Sequence, residues 1–148
     1  ISMTSDFQLY FNSLSAVIPS ELGQLTCMTN YFRVSSNSLS GAIPSELGQL
    51  TGMANFFHLD SNGLSGAITS ELGQLTSMTS HFNLGSNTLC GDIPPGVSAL
   101  SSQVISGWSL QSGNSLGTPC CETLPEVYTC APSSSPTPVP SSSTLSTL

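Results

Sequence analysis

Residues 37–50 of the chain read NSLSGAIPSELGQL, and related stretches occupy residues 12–25, 62–75 and 87–100. The spacing between successive copies is 25 residues. Seven columns keep this register through four copies, beginning at Met3, Phe7, Asn12, Leu14, Ile18, Leu22 and Leu25. Four copies of one short unit predict a solenoid, in which each repeat forms one coil and stacks on the next.

The alternation of side chains within a repeat predicts where each part of the coil lies. Phe32-Arg33-Val34 alternates as a strand does, so stacked copies predict one parallel sheet of four regular strands, with an irregular fifth near Trp108. Asn37 follows the strand and is expected to bond backbone groups at a buried bend. Pro44 should start a short helical turn that Ser45 caps. One continuous core is predicted from the columns of Phe7, Leu9, Leu14, Ile18, Leu22 and Leu25.

The motif N-x-L-S-G-x-I-P-x-x-L-G-x-L at residues 37–50 resembles the plant-specific leucine-rich repeat, found in receptor-kinase ectodomains and polygalacturonase inhibitors. Repeats containing Leu-Thr-x-Met-Thr are also similar to secreted proteins of diatoms and related algae. The resemblance covers residues 3–102 and implies an α/β solenoid that binds through its sheet face. The repeat has 25 residues where the family usually has 24, and Ala16 and Thr69 replace the family's Gly and Pro.

The remaining sequence divides the chain into three parts. Residues 1–102 are predicted to form four leucine-rich repeats, residues 103–130 a degenerate fifth repeat and Cys-rich cap, and residues 131–148 a Ser/Thr/Pro-rich tail. The chain starts within a repeat, so we expect a processed product or a fragment of a longer protein. O-glycosylation of the tail is predicted at Ser133, Ser134, Ser135, Thr137, Ser141, Ser142, Ser143 and Thr144.

The cysteines predict an oxidising compartment, so the protein is expected to be secreted, extracellular or at the cell surface. Two disulfides are predicted among Cys90, Cys120, Cys121 and Cys130. A bond between the adjacent Cys120 and Cys121 would be strained, which leaves open whether Cys90 joins Cys120 or Cys121. Cys27 is interpreted either as a buried free thiol or as an intermolecular link.

Charge excludes several classes of function. The chain has a single Arg, no Lys and a formal net charge of -7. A nucleic-acid binder needs many cations to displace counterions from phosphates, and a protein drawn to anionic lipid needs them too. No apolar run approaches the roughly 20 residues that cross a bilayer, so no membrane span is predicted in this segment.

The outward strand positions form the predicted binding face. Its residues are Asp6, Gln8, Tyr10, Tyr31, Arg33, Phe56, His58, Asp60, His81 and Asn83. Aromatic rings beside amides suit a protein or carbohydrate contact, although they could also simply cover one another. His58, Asp60 and a serine such as Ser61 could be drawn as a triad, but a sheet face offers no pocket or oxyanion hole. No enzyme activity is therefore predicted.

Two regular columns suggest further chemistry. The Glu21, Glu46 and Glu71 column could hold Ca²⁺, but solvent screening of exposed carboxylates explains it as well. We therefore predict no metal and no cofactor. The uncharged column of Thr26, Thr51 and Thr76 resembles the flat faces of ice-binding proteins, some of which are leucine-rich-repeat proteins. Ice binding is kept as a second alternative function.

The near-identity of the repeats and the scarcity of charge favour a non-enzymatic extracellular structural or assembly protein of a coat, matrix or filament. Its expected partners are other protein chains, either copies of itself or missing repeats, or extracellular polysaccharide. The alternative is a recognition ectodomain that binds a peptide or glycan on its sheet face.

Overall fold

The computed structural model describes residues 6–124 and 127–130, and for residues 121–124 and 127–130 it describes the backbone alone. Each of the four coils contributes two strands and one short helix. In chain order the strands are β1 (Asp6–Gln8), β2 (Ser15–Val17), β3 (Tyr31–Arg33), β4 (Ser38–Gly41), β5 (Asn55–His58), β6 (Gly63–Ala67), β7 (Ser80–Asn83), β8 (Thr88–Gly91), β9 (Ser115–Leu116), β10 (Cys121–Leu124) and β11 (Val127–Cys130). The helices are three 3₁₀ helices, Ser20–Gln24, Ser45–Gln49 and Ser70–Gln74, and α1 (Pro95–Leu100).

The first sheet is parallel and has the strand order β1-β3-β5-β7. Phe32 is the register partner of Phe7 on one side and of Phe57 on the other, so one repeat makes one coil. An isolated parallel bridge between Asn83 and Ser109 extends the edge beside Trp108, where an irregular fifth strand was expected. The predicted α/β solenoid, with a parallel sheet face and short helical turns behind it, is confirmed.

A second parallel sheet of five strands, in the order β2-β4-β6-β8-β9, was not predicted. It is formed by the stretch after the Asn column, which contains Leu-Ser-Gly in the second and third repeats, Leu-Ser-Ala in the first and Leu-Cys-Gly in the fourth. Ser38 N, for example, donates to Leu14 O at 2.8 Å. Any stretch that is extended at the same position in every coil meets its copy in the next coil. Stacking by itself therefore pairs its backbone groups.

A continuous stack of aromatic rings runs through the core. Successive ring centroids from Phe7 through Phe32, Phe57 and Phe82 to Trp108 lie 5.3, 5.4, 5.3 and 5.1 Å apart. The three central phenylalanines are fully buried. This stack repeats the same ring packing from coil to coil. Trp108 occupies the Phe column of the degenerate fifth repeat.

The first coil departs from the predicted core. Leu9 and Leu14 are each 38% exposed, so their assignment to the core is wrong. Their equivalents in the following coils, such as Leu59 and Leu64, are fully buried. No described coil lies against the outer side of the first one, and its apolar side chains line a cavity of about 260 Å³.

The Asn column bonds backbone groups at the bend, as predicted, and it also joins neighbouring coils, which was not predicted. Asn62 Nδ2 donates to Val34 O and Leu59 O at 3.1 Å and to Asp60 O at 3.2 Å. Its Oδ1 accepts from Leu39 N at 3.0 Å. One side chain thus satisfies backbone groups of its own bend and of the preceding coil, which would otherwise be unpaired in the interior.

The predicted serine caps are wrong. The capping residues of the three 3₁₀ helices are Pro19, Pro44 and Thr69, in extended conformation and without a side-chain hydrogen bond. Each serine is already the first residue inside its helix. Its hydroxyl therefore turns outward, and Ser45 Oγ donates to Glu46 Oε2 at 3.3 Å.

The C-terminal cap contains a disulfide between Cys90 and Cys120, which settles the choice left open for Cys90. Cys121 and Cys130 are register partners in the antiparallel pair β10-β11, but their sulfur atoms lie outside the described residues. The predicted O-glycosylation sites of residues 131–148 lie outside them too. Cys27 is exposed, so its interpretation as a buried thiol is wrong.

One departure from the repeat predicts a stabilising substitution. Ala16 has a φ of 81°, and the glycines at the equivalent positions, Gly41 and Gly66, have φ of 76° and 79°. An L residue in this region is strained by about 1–2 kcal/mol, partly offset by the larger entropy of unfolded glycine. We expect Ala16→Gly to raise the free energy of unfolding by about 1 kcal/mol, measured by urea denaturation.

The matched reverse change is Gly66→Ala, because a Cβ there would have no neighbour within 4 Å and only backbone strain would act. It should lower stability by about 1 kcal/mol. If Ala16→Gly destabilised the chain instead, the backbone strain assigned to Ala16 would be refuted.

Candidate functional site

Sequence variation between coils is concentrated on the outward face of the first sheet. Only three of the 25 columns hold a different residue in each of the four repeats. Two of them flank the Phe of each strand, and the third lies two residues past the strand end, where Ser35 and Gly85 are buried. The three columns are Asp6, Tyr31, Phe56 and His81; Gln8, Arg33, His58 and Asn83; and Tyr10, Ser35, Asp60 and Gly85. The helical stretch Ser-Glu-Leu-Gly-Gln-Leu is identical in three repeats. The scaffold is therefore constant while one face varies.

A second aromatic stack lies on this varied face. The ring centroids of Tyr31 and Phe56 are 4.8 Å apart, and those of Phe56 and His81 are 4.3 Å apart, with the planes within 20° of parallel. Gly107 closes the far end, since a Cβ there would lie 2.6 Å from His81 Cδ2. Both faces of Phe56 are therefore covered, and this central ring presents its edge to the surroundings. We call Tyr31, Phe56 and His81 the edge ladder.

Two members of the edge ladder have strained backbones. Phe56 and His81 have φ of 51° and 55°, in the left-handed region that non-glycine residues rarely occupy. Neither is paired in the β5-β7 register, although the residues on both sides are. Both lie between the Met and Phe columns of the repeat. Strain of this kind persists where the surroundings impose it and is concentrated at functional sites.

Arg33 lies over the aromatic rings. Its Cζ is 4.8 Å from the centroid of Phe56, 5.5 Å from Tyr10 and 5.6 Å from Tyr31. It is the only Lys or Arg in the chain. Among the described residues no carboxylate forms an ion pair with it. The face therefore holds one permanent positive charge, fixed by ring contacts and left uncompensated.

His58 is the register partner of Arg33 on the next strand. Its Nδ1 lies 3.7 Å from Asp60 Oδ1, and its ring centroid lies 6.2 Å from that of His81. Burial lowers the pKa of His58, the nearby Asp60 carboxylate opposes this, and Arg33 and His81 lower the pKa further. Desolvation outweighs the Asp60 contact, so His58 is neutral at pH 7.

Four polar atoms of this cluster are shielded from solvent without a hydrogen-bond partner among the described residues. They are Arg33 Nε, His58 Nε2, Asp60 Oδ1 and His81 Nδ1. An unpaired buried donor or acceptor costs about 1–3 kcal/mol. The cluster is therefore held in an arrangement that new polar partners would stabilise.

The other predicted site residues are less closely connected. Asp6 and Gln8 are exposed on β1, and Asn83 Oδ1 accepts from Gly85 N at 2.9 Å within its own turn. Phe11, which was expected to extend the apolar character of the face beside Tyr10, is 78% exposed and packs edge-on against Tyr10. Its signal in the sequence is a phenylalanine in a column that is otherwise serine.

The predicted alternatives to a binding face are a catalytic triad, a metal site and an ice-binding face. Ser61 Oγ donates to Asp60 Oδ2 at 3.3 Å and not to a histidine, so no nucleophile and base are joined there. In residues 6–124 and 127–130 no three His, Cys, Asp or Glu groups are placed to hold a metal. Glu71 accepts hydrogen bonds from Thr69 and Ser70, and the Thr69 hydroxyl is the main cause of its lowered pKa. Thr26, Thr51 and Thr76 are exposed, as an ice-binding face would require.

No helix in the part of the chain that the structure describes is long and apolar enough to cross a membrane. The described secondary structure consists instead of short stacked elements, none longer than the six residues of α1.

The fold is a leucine-rich-repeat solenoid, and the chain is similar to plant receptors with that fold. The family model described as Leucine Rich Repeat matches residues 29–50, and no curated protein matches the chain. Among solved structures the chain is similar to a TDR receptor, with 35% identity and a TM-score of 0.70 over 78% of this chain and 19% of that one.

Two further structures are similar to the chain. One is the ectodomain of the plant membrane receptor kinase GASSHO1/SCHENGEN3 from Arabidopsis thaliana in complex with CASPARIAN STRIP INTEGRITY FACTOR 2, with 29% identity, a TM-score of 0.64, and coverage of 76% of this chain and 13% of that one. The other is the plant peptide hormone receptor RGFR1 in complex with RGF2, with 27% identity, a TM-score of 0.62, and coverage of 78% and 20%. The chain thus spans a fifth or less of the length of these receptors.

Proposed function

We propose that this solenoid is a non-enzymatic recognition module, outside the cell or on its surface, that binds an extended peptide on the outward face of its first sheet. The observation that carries the proposal is the location of the three fully varied columns. Self-assembly does not require the residues of one face to differ between coils. Selective recognition of a partner does require such differences. This observation and the comparisons favour recognition over the coat or matrix protein that we predicted from the near-identity of the repeats.

The solved neighbours support the same function. RGFR1 is a peptide hormone receptor in complex with RGF2, and GASSHO1/SCHENGEN3 is in complex with CASPARIAN STRIP INTEGRITY FACTOR 2. Their ectodomains share the coil geometry of this chain. A parallel sheet face along the solenoid offers a long shallow surface, which suits an extended chain better than a compact small molecule.

The ring geometry favours a peptide over a carbohydrate. Both faces of Phe56 are covered, by Tyr31 at 4.8 Å and by His81 at 4.3 Å, so the central ring cannot also stack on a sugar. Ring edges carry partial positive charge, so the edge ladder attracts carbonyl and carboxylate oxygens. A peptide provides such oxygens at every residue.

The test is selection of a random dodecapeptide display library on the purified chain. We expect the wild-type chain to enrich a shared motif. The variant Phe56→Asn should weaken binding of the enriched peptides by about 30-fold, as loss of a central aromatic contact does. Asparagine tolerates left-handed backbone, so the fold should be kept, which circular dichroism would check.

Glu46→Gln, on the back of the solenoid, is the matched control and should bind as the wild type does. Failure to enrich any motif, or equal binding by Phe56→Asn, would contradict peptide recognition on this face. If the wild-type chain bound an oligosaccharide on a glycan array and Phe56→Asn did not, the ligand would be a glycan and not a peptide.

A further inference from the structure

Resting on the proposed function, we infer that Arg33 and His58 together bind a carboxylate of the peptide, and that His58 takes up a proton as it does so. Binding should therefore tighten as the solution becomes more acidic. The two residues are register partners on neighbouring strands. Because neighbouring strands lie about 4.8 Å apart, both side chains can reach the two oxygens of one carboxylate.

The guanidinium of Arg33 attracts an anionic group at this point of the face, against the negative charge of the rest of the chain. The chain has a net charge of -7, and its only Lys or Arg is Arg33. A guanidinium without a carboxylate partner among the described residues is available for one from a ligand. Arg is well suited to this because its planar donors match the two oxygens of a carboxylate. The neighbouring ring edges add to the attraction.

The charged and titratable groups that face His58 come from three places. Arg33 approaches from β3, His81 from β7, and Asp60 follows β5 itself at 3.7 Å. Arg33 and His81 oppose a proton on His58, and Asp60 favours it but is outweighed by burial. A bound carboxylate would act in the same sense as Asp60 and tip this balance toward the imidazolium.

The direction of the pH dependence follows from the two states of His58. In the free protein its pKa lies below the ordinary 6.5. In the complex the added carboxylate raises it. The extra affinity is complete below the free-state pKa and is lost as pH rises through the bound-state pKa. A peptide Glu, with a pKa of about 4.3, stays ionised at pH 5.5 and so does not mask the effect.

The unpaired atoms of the cluster support this inference. Arg33 Nε and His58 Nε2 have no hydrogen-bond partner among the described residues and are shielded from solvent. Arg33 is partly exposed and the His58 side chain is 16% exposed, so rotation of their outer bonds can bring these atoms to a ligand. A carboxylate would then replace missing hydrogen bonds and would not compete with existing ones.

For this experiment the library selection is performed at pH 5.5, and the enriched dodecapeptides are then synthesised. A second set, the amide copies, has each Asp or Glu changed to Asn or Gln. We expect an acidic residue at a shared position, and affinity about tenfold higher at pH 5.5 than at pH 7.5. The amide copy should lose that gain. His58→Gln should remove the pH dependence, and Arg33→Gln should weaken binding at both pH values. Glu46→Gln, on the back of the solenoid, should keep both the affinity and the pH dependence of the wild type.

Nuclear magnetic resonance gives a direct readout, since the chain has only two histidines. The pKa of the His58 imidazole should rise when the acidic peptide binds and stay unchanged with the amide copy. If no peptide is enriched, the proposed function and this inference fail together. If peptides are enriched without a shared acidic residue, or bind equally at both pH values, the carboxylate site is refuted and peptide recognition stands.

Discussion

Replacing Gly48 by alanine is expected to lower the free energy of unfolding by about 3 kcal/mol or more, although only one methyl group is added. A Cβ at Gly48 would lie 2.3 Å from the backbone oxygen of Glu71 and 2.6 Å from its carbonyl carbon. Backbone atoms of a stacked coil cannot rotate away as a side chain can. The whole third coil would have to move, which would disturb the aromatic core and the Asn ladder together.

Thermal unfolding followed by circular dichroism would measure this effect, with an expected loss of about 10 °C in the midpoint. Gln49→Ala is the matched control, because Gln49 lies in the same 3₁₀ helix and its side chain is exposed. It should change stability by less than about 0.5 kcal/mol. If Gly48→Ala were as stable as the control, the close approach of successive 3₁₀ helices would be disproved.

Replacing Asn87 by alanine should cost about 3 kcal/mol. Its Oδ1 accepts from the amide of Leu64, a fully buried residue, at 3.1 Å. That amide would be left without a partner. The carbonyls that Asn87 serves keep other donors; Leu84 O, for example, still accepts from Asn114 Nδ2 at 2.9 Å. The loss therefore comes mainly from one orphaned amide, three broken hydrogen bonds and a small cavity.

Asn12→Ala provides the comparison at the same position of the repeat. Asn12 is exposed and bonds only Leu9 O and Tyr10 O among the described residues, each at 3.1 Å. Its replacement should cost less than about 1 kcal/mol in urea denaturation. Equal losses for the two variants would mean that the asparagine acts within its own bend and does not join coils.

Much of the fold could be predicted because it depends on contacts between residue i and residue i+25. Phe32 meets Phe57 as soon as one coil stacks on the next. Asn37, Asn62 and Asn87 bond the equivalent backbone groups, each in its own coil and in the preceding one. The exceptions have local causes. Leu9 and Leu14 lie on the outermost described coil, and the serines lie one residue too late to cap their helices.

The candidate site could be predicted only in part. Alternation along the strand was sufficient to place Arg33, His58 and His81 on one face. It could not show that Phe56 and His81 adopt left-handed backbone, or that their rings stack so closely that only edges remain available. These features depend on side-chain rotamers and on the closure of the stack by Gly107, which lies outside the regular repeat.

The sequence by itself determined the coil length, the parallel sheet, the asparagine ladder and the set of outward residues, because each follows from periodicity and side-chain alternation. Only the tertiary structure decided which outward residues act together. The position of Arg33 over three rings, the desolvation of His58 and the joining of Cys90 to Cys120 are all set by distances between coils. Burial, ring contact and sulfur pairing depend on those distances, and the distances cannot be read from the order of residues along one coil.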